Sequence, residues 1–108
     1  MRPNSMEKIT ALSDVIAELF KPEQIILFGS HAYGTPHSDS DVDLLVVMPT
    51  EKRPVYQAAE ILNRVHPSFP VDLLVRTPEQ VQQRIAWNDF FLRDIIENGR
   101  VLYAAADC

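Results

Sequence analysis

Gly29-Ser30-His31-Ala32-Tyr33-Gly34-Thr35-Pro36-His37-Ser38-Asp39-Ser40-Asp41-Val42-Asp43-Leu44 leaves one short apolar run and enters another. The run before it, residues 25–28, reads as a buried strand stopped by Gly29, and the run after it, residues 42–48, reads as a second strand ended by Pro49. Asp41 and Asp43 are two apart at the entry to that strand. Alternation along a strand turns both to one face, continued by Leu45 and Val47, with Val42, Leu44 and Val46 on the other. Two carboxylates held side by side repel, so the pair calls for a cation or free solvation. Hard oxygen donors of this kind suit Mg²⁺ or Mn²⁺. A third acid, Asp72, lies in the apolar run Val71-Asp72-Leu73-Leu74-Val75, where an unpaired charge is costly and a shared metal site would remove the cost. Three carboxylates from two strands can hold two ions about 3.5–4 Å apart, the spacing that clamps attacking and leaving oxygens in phosphoryl transfer.

Gly29 and Ser30 supply the other half of such a site. A short helical turn over residues 30–33 would aim backbone N–H groups at an anion, with no side chain at Gly29 in the way and a hydroxyl at Ser30. Two rival readings fail on particular residues. Asp39-x-Asp41-x-Asp43 opens like a calcium-binding EF-hand loop, but Leu44 stands where that loop needs Gly, and Thr50 where it needs Glu. No Gly-Lys-Ser/Thr is present, so the Gly-Ser is not part of a P-loop. An Asp-x-Asp alone is as well read as a solvated turn. Gly-Ser at a strand end, Asp-x-Asp entering the next strand and a third Asp within another strand form a far more specific combination.

Around this centre the elements are short and alternate in period, the pattern of an α+β domain with a mixed sheet flanked by helices. Leu12, Val15, Ile16, Leu19 and Phe20 predict a helix over residues 5–20, ended by Pro22. Val55, Ala58, Ala59 and Leu62 predict a second helix opening at Pro54. Residues 70–76 form a third strand. Thr77-Pro78-Glu79-Gln80 is a capping box that starts one helix, or two joined near Asn88, reaching Asn98 with Gly99 as the C′ residue. Residues 101–103 read as a last short strand, with a frayed tail after it. On the last helical stretch Trp87, Phe91, Leu92, Ile95 and Ile96 share a broad face expected to pack in the core. Phe90 falls outside that face and is a candidate partner contact, unless a break near Asn88 turns it inward.

The chain has 108 residues, 46% hydrophobic and 23% charged, which predicts one globular domain over residues 1–108. No apolar run approaches the ~20 residues of a membrane span, and the N-terminus shows no signal-peptide pattern. The single cysteine, Cys108, offers neither a disulfide framework nor a thiolate metal site, so a cytoplasmic setting is expected. Ten Lys and Arg against fifteen Asp and Glu give a net charge of −5, which argues against a direct nucleic-acid binder. His37 and His66 read as surface histidines. His31 beside Ser30 and Tyr33 on the same turn are candidates for the nucleotide pocket.

The stretch from Gly29 to Val47 resembles the signature of the DNA polymerase beta-like nucleotidyltransferase superfamily, and among its members the minimal, MNT-type domains. The resemblance covers nearly the whole chain. It implies a polymerase beta-like fold and transfer of a nucleotide, AMP from ATP, to a hydroxyl with release of pyrophosphate. It implies that Gly29 and Ser30 bind the triphosphate and that Asp41 and Asp43 ligate two Mg²⁺ ions. It implies that Asp72 completes the metal that activates the acceptor and takes part in receiving its proton. His31 stands where a basic residue is common in such sequences. With no acceptor pocket evident in the sequence, the resemblance implies a partner in a hetero-oligomer: a HEPN-domain toxin, with this chain as its antitoxin and a toxin tyrosine as acceptor. The competing expectations are a small-molecule acceptor such as an aminoglycoside, and an antitoxin that works by binding alone.

Overall fold

Two strands with apolar residues at nearly every position need cover on both faces, and the helices supply it. In the computed structural model, which describes residues 6–33 and 41–105, the order is α1 (Met6–Phe20), β1 (Gln24–Phe28), α2 (Ser30–Tyr33), β2 (Val42–Val47), α3 (Pro54–Val65), β3 (Val71–Arg76), α4 (Pro78–Ala86), α5 (Phe90–Asn98) and β4 (Arg100–Ala104). The predicted polar segment at 34–40 with His37, and the end of the tail with Cys108, lie outside the described residues. The sheet runs β3-β2-β1-β4. β1 pairs antiparallel with both β2 and β4, and β2 pairs parallel with β3, so the sheet is mixed as expected.

Register sorts the side chains into two faces. Ile25, Leu27, Leu44, Val46, Leu73 and Val75 join Ile9, Leu12 and Ile16 of α1 and Ala58 and Ile61 of α3 in the larger core. Ile26, Leu45 and Val47 face the other way, with Leu74 at their edge, and are covered by Val81 of α4 and Leu92 and Ile95 of α5. Each fully buried Val, Leu or Ile among them contributes about 1.5–3 kcal/mol of hydrophobic stabilisation. Among the described residues no helix is long and apolar enough to cross a membrane.

Three helix faces differ from the periodicity reading. α1 buries Ile9, Leu12, Ser13 and Ile16, while Val15 and Leu19 are exposed. α3 buries Gln57, Ala58 and Ile61 and leaves Val55 exposed. Gln57 is tolerated inside because its amide accepts from the Thr50 hydroxyl and donates to Glu60. The final helical stretch is two helices. Asn88 takes φ 62, and Asp89 caps α5 by accepting from the backbone N–H of Phe91 and Leu92. That break turns Leu92 and Ile95 to the sheet and leaves Trp87, Phe90 and Phe91 exposed, so Trp87 and Phe91 are not core residues. Gly99 closes α5 at φ −69, an extended rather than left-handed geometry. Glycine is needed there for close approach: a Cβ would run into the Ile95 carbonyl and stand 2.6 Å from Ile26 Cγ2.

The capping box at α4 forms as predicted, Gln80 N–H to Thr77 Oγ1 at 3.1 Å and Thr77 N–H to Gln80 Oε1 at 2.9 Å. Thr77→Ala is expected to destabilise the fold by about 1 kcal/mol, the worth of an N-cap, read as a lower urea midpoint at unchanged slope. An unchanged midpoint would show that α4 is held by Val81 and Ile85 packing alone.

Candidate active site

One row of the sheet carries the site. Phe28 of β1 pairs with Asp43 of β2, and Asp43 pairs with Asp72 of β3. Neighbours in a row share a face, so these three side chains stand at the end of the sheet on the α4/α5 side, one row beyond Ile26, Leu45 and Leu74. The helices pack on the apolar row and leave a gap over the acidic one, which Phe91 and Asp94 of α5 overhang. A cavity of about 410 Å³ results, lined by Phe28, Gly29, Asp43, Asp72, Leu74, Phe91, Asp94 and Ile95.

Gly29 sits at φ +78, where glycine is at ease and other residues are strained. Its missing side chain also makes room: a Cβ there would overlap the Asp43 carboxylate. The chain then turns directly into α2, and the Ala32 N–H donates to the Gly29 carbonyl at 3.0 Å. Ser30 opens that helix. Gly29, Asp43 and Asp72 are thus brought to one place, with Ser30 next in the chain and Asp41 immediately before β2, exposed.

The Asp43 carboxyl is pushed above the ordinary carboxylate range, first by burial and then by the negative charges of Asp72 and Asp41, with His31 pulling the other way. The charges of Asp72 and Asp41 are therefore close enough to act on the Asp43 carboxyl. Among the described residues no group of three acidic or imidazole side chains is gathered to the spacing that would hold an ion unaided. Asp72 differs from its reading in one respect. It is exposed on an edge strand, so the burial cost expected from its apolar run does not arise.

Two contributors were not found by sequence reasoning. Asp94 and Phe91 reach the cavity from α5, and Phe91 meets Phe28 edge-on at a centroid distance of 5.8 Å and 86° between planes. Their spacing of three residues puts them on one side of a helix. Nothing local says that this side overhangs the acids, which depends on how α5 seats on β1. His66 is exposed at the end of α3, as read.

A family model described as the nucleotidyltransferase domain matches residues 9–103. The chain belongs to that family. A Methanocaldococcus jannaschii protein named "Putative protein adenylyltransferase MJ0604" is 33% identical over 81 residues, 75% of this chain and 78% of that one. The fold is shared with a Sulfolobus solfataricus protein assigned as a nucleotidyltransferase, at TM-score 0.63 and 19% identity over 91% of this chain and 78% of that one. It is also shared with a chain of a toxin-antitoxin MntA-HpeT mutant, at TM-score 0.51 and 20% identity over 94% of this chain and 74% of the other. The α+β fold with a mixed sheet and the nucleotidyltransferase assignment expected from the signature both hold.

The crowding at Asp43 gives this nucleotidyltransferase domain a pH dependence. A carboxyl raised in the fold binds its proton more tightly than in the unfolded chain. The associated stability is fully present below the ordinary carboxylate range and is lost as pH rises through the raised value. Without divalent cations, Asp43→Asn is expected to flatten that decline and to match or exceed the wild type at neutral pH in thermal melts. A wild type more stable than Asp43→Asn at pH ~7 would contradict the crowding, since an ionised carboxylate among like charges costs stability there.

Proposed function

We propose that this domain transfers AMP from ATP to a hydroxyl of a partner protein, a tyrosine of a HEPN-domain toxin, and serves as its antitoxin in a hetero-oligomer in the cytoplasm. The observation that carries the reading is the paired row of Asp43 and Asp72 opening on a cavity beside Gly29. The name of the M. jannaschii relative and the toxin-antitoxin system of the structural neighbour support the protein acceptor and the partner.

The donor set fits Mg²⁺, with Mn²⁺ as substitute: three carboxylates in mutual repulsion offer hard oxygens and a charge excess that a divalent cation relieves. Asp41 and Asp43 would hold both ions and Asp72 one of them, and the bound metal supplies a Lewis acid that eases loss of the acceptor's proton and neutralises charge on the phosphates. Gly29 and the backbone at the start of α2 receive the triphosphate, the role the signature also gives to Ser30. Asp72, exposed at the mouth of the cavity, accepts the proton of the attacking hydroxyl. The acceptor oxygen bonds to the α-phosphorus as the bond to the departing pyrophosphate breaks, so charge and atoms balance.

A second reading takes a cationic small molecule, of the aminoglycoside kind, as acceptor, because Asp43, Asp72 and Asp94 all line the cavity. Incubation with labelled ATP, Mg²⁺ and the candidate partner, followed by mass spectrometry, separates the readings. An AMP adduct on a partner tyrosine is expected. The Asp41→Asn, Asp43→Asn double variant should bind the partner and leave it unmodified. Mg²⁺ with nucleotide should raise the melting temperature of the wild type but not of that variant. Adenylylation of a free small molecule with none on the partner would replace this reading with the second, and toxin neutralisation by the double variant would leave binding as the antitoxin mechanism.

A further inference from the structure

We propose that Phe91, backed edge-on by Phe28, is the specificity-determining residue of the acceptor half of the cavity, and that this half admits a flat aromatic hydroxyl in preference to an aliphatic one. The inference rests on the nucleotidyl-transfer reading above and extends it to a part of the chain that the signature does not include.

The placement of the helices supports it. α2 follows Gly29, and its Ala32 packs against the core on the α1/α3 side of the sheet. Phe91, Asp94 and Ile95 stand on the opposite side, over the row that holds Asp43 and Asp72. Attacking and leaving oxygens lie roughly in line through the phosphorus in phosphoryl transfer. With pyrophosphate leaving toward α2, the acceptor enters from the α5 side, which is where the cavity lies.

The walls there are aromatic and aliphatic, and the polar groups are carboxylates. The aromatic and aliphatic part of that lining suits an uncharged ring that carries a proton to donate. The Asp89 cap fixes the first turn of α5, pins Leu92 to the sheet and leaves Phe91 standing 57% exposed at the cavity wall. Its ring meets Phe28 in a T-shaped pair, so it is positioned by packing although it is open to solvent. Phe90 at 78% exposure and Trp87 at 68% are further exposed aromatic residues where α4 gives way to α5. A free small molecule does not need them, whereas the flank of a protein carrying the acceptor residue does. A phenol, with its ordinary pKa of ~10, also yields its proton to a carboxylate more readily than an aliphatic alcohol does.

The test has one arm independent of catalysis. N-acetyl-tyrosinamide and N-acetyl-serinamide are titrated into the full chain while the backbone amide signals of Leu74, Phe91 and Asp94 are followed by NMR. Saturable shifts at these three are expected for the phenol and not for the alcohol. Phe91→Ala should weaken phenol binding on the order of three- to tenfold, the worth of one aromatic contact, and Phe91→Tyr should retain it, both with ATP affinity unchanged. A loss of ATP affinity in Phe91→Ala would assign the cavity to the nucleoside and overturn the proposal, as would equal shifts with phenol and alcohol. In the second arm, transfer to partner tyrosine at undiminished kcat/KM in Phe91→Ala would leave the transferase standing and remove the subsite. Phenol binding that depends on Phe91, in a chain that adenylylates nothing, would keep the subsite and remove the transferase.

Discussion

Asp43 and Asp72 face each other across a hydrogen-bonded parallel strand pair, and like charges directly opposed in a ladder destabilise it. The rest of the fold is arranged so that this opposition can stand. Three apolar pairs follow the acids along the ladder, Leu44–Leu73, Leu45–Leu74 and Val46–Val75, and these hold β2 against β3. The acids lie one pair in from the end of the ladder, where Asp72 reaches water and only Asp43 is partly enclosed. A row deeper, the same pair would be sealed under α5 and the charge would have no outlet.

Gly29 is the second condition. The strand that delivers Phe28 to the acidic row must turn away at once, and it does so with φ +78 and with the Asp43 carboxylate occupying the space of a side chain. Turn, clearance and charge are therefore satisfied by one residue. Gly99 does comparable work at the other end of the covering layer. By letting the end of α5 press on Ile26, it sets how far that helix lies over β1 and hence where its cover stops. Neither glycine touches the proposed chemistry with a side chain, yet both set the shape of the cavity.

What the sequence made legible follows from this division. β1, β2 and β3 were readable because their apolar runs are bounded by Gly29, Pro49 and Thr77-Pro78, and alternation alone put Asp43 with Leu45 and Val47. The capping box was readable because both its hydrogen bonds are local. Helix faces were less legible. Val15, Leu19 and Val55 fit an apolar period but lie at the edge of the stripe that the sheet can reach, so they remain exposed while Ile9, Gln57 and Ile61 go inside. The largest error was at Trp87 and Phe91. A continuous helix would have placed both with Leu92 and Ile95, but the left-handed turn at Asn88 and the cap at Asp89 reset the phase. Asp94 could not be found because its relevance depends on tertiary seating alone.

That reset also bears on how an acidic chain can meet a second protein. A net charge of −5 favours a basic partner at long range but gives no orientation. Orientation needs a localised feature, and the α4–α5 corner supplies one. The break at Asn88 leaves Trp87, Phe90 and Phe91 exposed rather than in the core, with Phe91 on the cavity wall. Had α4 and α5 been one helix, Phe91 would have been spent on packing, and the cavity would have had a lower wall on its open side. The local strain of a non-glycine residue at positive φ is small, of order 1 kcal/mol, against the packing that the resumed helix regains through Leu92 and Ile95. The fold thus exposes its aromatic corner at little cost to stability, and it does so next to the carboxylates where an incoming hydroxyl would have to arrive.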